Sequence, residues 1–381
     1  MKICLFTTRA QYPPCNFVIG GENQIPLKTA ELLNKNQHEI TFITSEAPPS
    51  YRLPSIVVNN LNVKTIVNEM EGGPPFKVKY SKVLKQIFEL RRFIANSSFD
   101  IVHFFGANRA AFILGLLKYF GESSIKFMTF NKFHRQELKY KYLSVKLINN
   151  IDTILTLSQY TKQQLINVGI DREKIYVTRP GVHEKWYADN YKRLDFGTER
   201  FVLFWRDAEW ENGADICGNV FEKLAPQYSN ISFVFAIRPN HEYEAKLRNL
   251  TKKYDNIQLY IYPYDNFSIT DLVRSAFLVV LPFRKLSLNP QIAVLETLVS
   301  GTPLITSSIE SNKEIIKSGE TGMLVTPTFN EVYIAIKNML DNPYNAQRMG
   351  SQGKAYIKQN WNWDKYRKKL LSLYTNAKKS L

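Results

Sequence analysis

The chain of 381 residues predicts an α/β architecture of two doubly wound domains, on three observations. Short apolar runs alternate with stretches of helical length, the pattern of a parallel sheet covered by helices on both faces. The alternation occurs twice, and between the two series the polar stretch 187–200 (YADNYKRLDFGTER) loses all periodicity. A composition that is 44% hydrophobic and 13% aromatic is enough to bury two sizeable cores.

In the first series residues 1–7 read as a strand, 20–34 as a glycine loop and helix, and 38–44 as a strand. After a basic helix, 99–104 reads as a strand, 107–120 as a helix, and 126–130 and 153–157 as strands. Each strand is short and rich in Ile, Val, Phe or Thr, with little polar alternation, as strands buried on both faces are. The second series sets strands at 201–205, 232–236, 257–261, 277–281 and 304–306. Residues 291–299 read as a helix stopped by Ser300, Gly301 and Pro303, and 361–379 as a basic helix. The expected domains are 1–186 and 201–360, with a linker over 187–200 and a final helix over 361–381.

Charge is uneven. Against a net charge of +16 for the whole chain, residues 1–150 carry 20 Lys and Arg against 10 Asp and Glu, while residues 201–350 carry 14 against 16. In 77–92 and 132–146 the basic residues alternate with Tyr, Phe, Leu and Ile. Such a face is either solvated or meets an anionic lipid surface; nucleic acid has only the charge behind it and no recognisable motif. No apolar run approaches the roughly 18 residues of a membrane span, and the first residues have too short an apolar core for a signal peptide, so the expected location is the cytoplasm, or the inner face of a membrane for a peripheral protein. Cys4, Cys15 and Cys217 are odd in number and scattered, which argues against disulfides or a zinc site and for buried thiols. The five His are equally dispersed, so no metal site is expected. No G-x-G-x-x-G follows either opening strand, which disfavours a dinucleotide dehydrogenase.

Residues 278–325 are the most informative stretch. A helix that begins just past a strand's carboxyl end points its N–H groups into the crevice where open α/β sheets bind ligands, and Glu296 stands one or two turns into such a helix. The paired glycines Gly20 and Gly21 before another helix would let a diphosphate approach the backbone. The ordered set Pro282, Glu296, Gly301, Pro303 and Gly319-Glu320-Thr321-Gly322 resembles the donor-site signature of the family 4 retaining glycosyltransferases of the GT-B fold, L-E-A-x-x-x-G-x-P-V followed by E-x-x-x-x-G-x-T-G from Glu314. Gly20-Gly21-Glu22, 37–41 (QHEIT), Asp100-Ile101-Val102-His103, Ser158 with Thr161-Lys162, Gly169-Ile170-Asp171 and Pro180-Gly181-Val182 follow the same family in order.

That resemblance implies two Rossmann-like domains facing across a cleft. It also implies transfer of a sugar, with retention of configuration and without a metal or other cofactor, from a nucleotide-sugar co-substrate to a glycan or lipid-linked acceptor, with no nucleic acid involved. It assigns donor binding to Gly20, Gly21, Arg206, Asn212, Asn289, Pro290, Gln291, Ile292 and Glu296, with Glu296 on the ribose. It assigns acceptor binding to His103, Asn131 and His134, and catalysis to Arg206, Asn131 and His134. Three departures stand out. Asn212 replaces the Lys that completes the diphosphate clamp with Arg206, for which Arg284 or Lys285 would then substitute. Leu288 replaces the first Glu of the pair, which engages the sugar, and the T-x-H of the first domain reads Thr129-Phe130-Asn131. These losses favour, as the alternative, a non-catalytic protein of the same fold that binds a nucleotide-sugar or glycan, or supports a partner transferase.

Overall fold

The computed structural model describes residues 1–12, 21–36, 38–46, 62–66, 91–106, 108–119, 125–130, 141–188 and 190–379. They form two compact units, Met1–Pro180 with Trp363–Leu381, and Gly181–Asn362.

The first unit holds a seven-stranded sheet in the order β3-β2-β1-β4-β5-β6-β7. Its strands are β1 (Lys2–Tyr12), β2 (Glu39–Glu46), β3 (Asn62–Ile66), β4 (Ile101–Gly106), β5 (Ile125–Phe130), β6 (Thr153–Thr156) and β7 (Ile175–Val177). Every pairing is parallel. Strand alternation divides the apolar side chains between two cores. Cys4, Phe6, Val102, Phe104 and Met128 enter one, while Ile3, Leu5, Ile101, Phe105 and Phe127 enter the other.

The C-terminal helix Trp363–Lys379 completes the second of these cores with Tyr366, Leu370 and Tyr374. Polar bonds fix its register: the Tyr366 hydroxyl lies 2.9 Å from Thr29 Oγ1, and Lys126 Nζ donates to the Ala377 carbonyl at 2.7 Å. A cation on the last carbonyls of a helix also opposes the negative end of its dipole.

In the second unit β8 (Arg200–Phe204), β9 (Ile231–Ile237), β10 (Ile257–Ile261), β11 (Leu278–Leu281), β12 (Leu304–Ser307) and β13 (Met323–Val325) pair in parallel in the order β10-β9-β8-β11-β12-β13. The chain leaves β8 toward one edge and returns at β11 toward the other, so the order reverses between these two strands. In open α/β sheets that switch point, at the carboxyl ends, is where ligands bind.

The stretch 187–200, read as a linker, packs on the second unit. Lys192 N donates to Asp271 Oδ1 and Leu194 N to Ser275 Oγ, each at 2.9 Å, and Leu194 and Phe196 pack on the second unit's core. Trp186 and Val182 are buried in that core too, so the units divide at Pro180–Gly181 and not after 186. Cys4 and Cys217 are buried free thiols, and Cys15 lies outside the described residues.

His103 does not serve as an acceptor contact. It sits on the β4 face under the C-terminal helix, fully buried, with Nδ1 2.5 Å from the Tyr374 hydroxyl and Nε2 2.6 Å from Thr129 Oγ1. Both ring nitrogens are engaged, and burial pushes its pKa down from 6.5 to about 3. The unfolded chain takes up this proton near pH 6.5 and the folded chain only near 3, so the stability from neutral His103 is complete above 6.5 and falls as pH drops toward 3. Urea unfolding across pH 6.5 to 4 should therefore show stability falling by about 1.4 kcal/mol per pH unit from this residue alone. His103→Gln should remove that component of the slope, and equal slopes in the two proteins would show that His103 is already charged in the fold.

Candidate functional site

Strand β8 delivers Trp205, Arg206 and Asp207 to its carboxyl end. Trp205 is anchored through Nε1 to Thr297 Oγ1 at 3.3 Å, which ties the segment to the helix Ile292–Ser300 that follows β11. Arg206 is partly exposed, yet its Nε is buried without a partner, and among the described residues its guanidinium makes no hydrogen bond or ion pair. Burial lowers its pKa, and the carboxylates of Asp207, Glu296 and Glu209 oppose that shift through their charge. A guanidinium stays protonated even so. Arg206 is thus a desolvated cation at the switch point with its donors open.

The neighbouring cations differ. Arg238, at the end of β9, grips Asp207 with Nε and Nη2 together. Burial would raise the Asp207 pKa, but the Arg238 pair outweighs it and holds the carboxylate below its ordinary range. His241 stands 3.4 Å from Asp207 and 3.1 Å from Glu209, so these three residues gather possible metal-ligand atoms within 4.8 Å of one another, which the sequence did not foreshadow. Asp207 is already satisfied by Arg238, however, and a ligand set that shares a carboxylate with a guanidinium is not one built for a cation.

Asn212, at the expected lysine position, is buried and donates Nδ2 to the Asp207 carbonyl at 3.1 Å, so it braces the loop and carries no charge. Gly213 follows with φ 76°, and a Cβ there would overlap the Pro282 carbonyl oxygen, so only glycine lets this loop cross the end of β11. Arg284 does not replace the missing lysine: it forms a two-pronged pair with Asp215 at 2.6 and 2.8 Å, donates to the Trp210 carbonyl at 2.8 Å and lies 4.6 Å from the Trp210 ring. Lys285 is exposed and has no ion pair among the described residues.

The helix Ile292–Ser300 is buried along almost its whole length, with Glu296, 7% exposed, its one charged residue. No side chain caps it. Gln291 instead accepts from Leu288 N at 3.2 Å and Ser287 Oγ at 3.1 Å, which shapes the loop and leaves the first N–H groups of the helix to other partners. Pro290 follows a cis peptide bond, Asn289 is buried, and Ile292 joins the core. Glu296 and Arg206 are close enough for charge to couple them, from two segments 90 residues apart in sequence. Leu288 lies in the apolar core with Phe283 and Leu286 and offers no polar group.

Gly21 opens the helix Gly21–Asn34 that follows β1, while Gly20, Asn131 and His134 lie outside the described residues. Reading the sequence missed the Asp207–Arg238 pair; the available signal was an Arg at the end of 231–237, as Arg206 stands at the end of 201–205.

Residues 189–356 match the family model of the glycosyl transferases group 1, and residues 19–186 that of glycosyltransferase family 4. Among curated proteins no significant match was found. Among solved structures, the fold is similar to sucrose-phosphate synthase from Thermosynechococcus elongatus, with a TM-score of 0.76 at 17% identity over 100% of both chains. It is also similar to a glycosyltransferase from Rickettsia africae, with a TM-score of 0.75 at 14% identity over 99% of this chain and 98% of that one. Anabaena HepE in complex with UDP gives 0.73 at 13% over 99% of this chain and 100% of that one, and further HepE structures hold UDP with glucose and UDP-glucose. With both halves matched by glycosyltransferase models and both units folded as doubly wound domains, the chain belongs to the family 4 glycosyltransferases of the GT-B fold.

Proposed function

We propose that this glycosyltransferase takes a sugar from a nucleotide-sugar bound at the carboxyl end of the second sheet and passes it, with retention and without a metal, to a glycan or lipid-linked acceptor. Arg206 carries the reading. It is a half-buried arginine whose Nε is buried without a partner at the switch point, whereas Arg238 and Arg284 are bound to Asp207 and Asp215. In the transfer the bond between the anomeric carbon and the diphosphate breaks, and negative charge grows on the departing oxygen. A preorganised cation in a desolvated site stabilises that charge, and the uncapped N–H groups at the start of 292–300 add to it. The acceptor hydroxyl oxygen bonds to the same face of the anomeric carbon, and its proton passes to the departing phosphate oxygen. Glu296 accepts from the ribose hydroxyls. The UDP and UDP-glucose held by the Anabaena relative support a uridine nucleotide as the first donor to try.

A lipid-linked acceptor has one observation behind it. On the helix Lys141–Asn149 the side chains of Tyr142 and Leu143 are 85% and 45% exposed, beside exposed Lys146, which is the mixture an interfacial helix presents. Most of 77–92 and 132–140 lies outside the described residues, among which no helix is long and apolar enough to cross a membrane. The reading as a non-catalytic binder is favoured by the neutral Asn212 and apolar Leu288, and hydrolysis of a nucleotide-sugar by the purified protein would exclude it.

Three outcomes follow from this reading. Arg206→Ala should lower turnover of the nucleotide-sugar on the order of a hundredfold, with its melting curve little changed; near wild-type turnover would move the clamp elsewhere. Glu296→Gln should weaken UDP roughly tenfold in calorimetry, as loss of a charge-assisted hydrogen bond does, and unaltered affinity would remove Glu296 from the ribose. Lys146→Glu combined with Tyr142→Ser should reduce partition onto anionic vesicles on the order of tenfold while leaving UDP affinity intact. If wild type binds neutral and anionic vesicles equally, the acceptor is not presented at an anionic surface.

A further inference from the structure

The turn after β12 carries a carboxylate that the donor site as described does not use. Glu310 has φ 43°, in the left-handed region that a residue with a Cβ rarely adopts, and such outliers persist where surrounding structure holds them for a reason. What holds this one is Asn289, two residues before the cap of the helix 292–300. Asn289 is 1% exposed and donates Nδ2 to Glu310 Oε2 at 2.6 Å, while its Oδ1 accepts from Ser311 N at 3.3 Å and Ser311 Oγ at 2.8 Å. One buried amide therefore fixes both the carboxylate and the turn that presents it. Since β11 and β12 are paired neighbours, the turn stands beside the start of that helix, at the same end of the sheet as Arg206.

Glu310 is half-buried and forms no ion pair among the described residues, and its Oε1 has no hydrogen-bond partner among them. The same turn leaves Ser307 Oγ and Asn312 Oδ1 buried and unpartnered, so it holds more polar capacity than the protein satisfies. Position 288, beside Asn289, contributes only a buried leucine. A turn needed merely to reverse the chain would be better served by glycine at a positive φ. A carboxylate fixed through one oxygen is an acceptor, and the ligand that suits its other oxygen is a set of hydroxyl donors.

We propose that Glu310 binds hydroxyl groups of the donor's sugar, so that the sugar contact comes from the turn after β12 and not from residue 288. This deepens the donor-site reading above and rests on it.

Calorimetry on wild type, Glu310→Gly and Glu310→Gln tests it, with UDP and GDP, and with UDP-glucose, UDP-N-acetylglucosamine and GDP-mannose. Glu310→Gly relieves the backbone but leaves the buried Asn289 Nδ2 without its partner, whereas Glu310→Gln keeps an acceptor for it, so melting curves of both variants are recorded to establish that each is folded before binding is compared. Both variants should bind the nucleoside diphosphate as wild type does, yet bind the accepted nucleotide-sugar roughly tenfold or more weakly, the effect of losing a charge-assisted hydrogen bond. Nucleotide-sugar affinity unchanged in both variants, with nucleotide binding intact, would overturn the role of Glu310 and leave the donor site standing. A wild type that binds the nucleoside diphosphates but none of the three sugars has no sugar contact to assign, which overturns the proposal too. A wild type that binds no nucleotide overturns the donor site itself.

Discussion

Arg206 is held as a desolvated cation by carboxylates that share its field without bonding to it, and the rest of the second unit's site is arranged around keeping it so. Burying a guanidinium is costly unless opposite charge stands near. Asp207 supplies that charge from the end of β8 and Glu296 from the helix that follows β11, on the neighbouring strands of the switch point. If Asp207 bonded Arg206 directly, the cation would be neutralised in place. Arg238 prevents this by taking both oxygens of Asp207 from the neighbouring strand. Arg284 does the same for Asp215 from the other side of the loop. Of the three arginines gathered at these strand ends, two neutralise carboxylates and one is left open, which is the distribution an anion site needs.

That arrangement depends on how closely two loops approach. Gly213 passes the Pro282 carbonyl with no room for a side chain, and Arg284 N donates to the Glu211 carbonyl at 2.8 Å, so the loops after β8 and β11 are fastened main chain to main chain. Asn212 belongs to this fastening through its bond to the Asp207 carbonyl. A lysine there would bring a second charge but would give up a buried amide bond inside the loop, so its absence changes how the loop is built as well as its charge.

The central strands were legible because each is a run of Ile, Val, Leu and Phe buried on both faces, as in 101–106 and 231–237. β3, β7 and β13 were not. They are edge strands of three to five residues, too short to show a period, and they exist because a neighbour offers them a ladder. Glu296 and Arg206 were legible from their places after strands. The neutralisation of Arg284 was not, because it depends on Asp215, 69 residues away. His103 misled for the same reason: its partner Tyr374 is 271 residues distant, and nothing local separates a histidine buried under a returning helix from one open to a ligand. The polar 187–200 misled because a polar sequence can still pack, through its backbone, on a helix that offers Asp271 and Ser275.

Leu288 shows how a departure from a family pattern is fixed once the surroundings adapt. It packs with Phe283, Leu286 and Ile292 in the apolar core, and its N–H is already taken by Gln291. A carboxylate introduced there would enter an apolar environment with no cation beside it, because Arg284 is bound to Asp215 and Arg206 sits within the field of Asp207, Glu209 and Glu296. Burying an unpaired charge costs several kcal/mol, more than one sugar contact returns. Polar capacity in this region is held instead by the turn after β12, where Asn289, Ser311 and Glu310 form one bonded group. The site is therefore better understood as a redistribution of donors and acceptors among the loops at one end of the second sheet than as a damaged copy of the usual one.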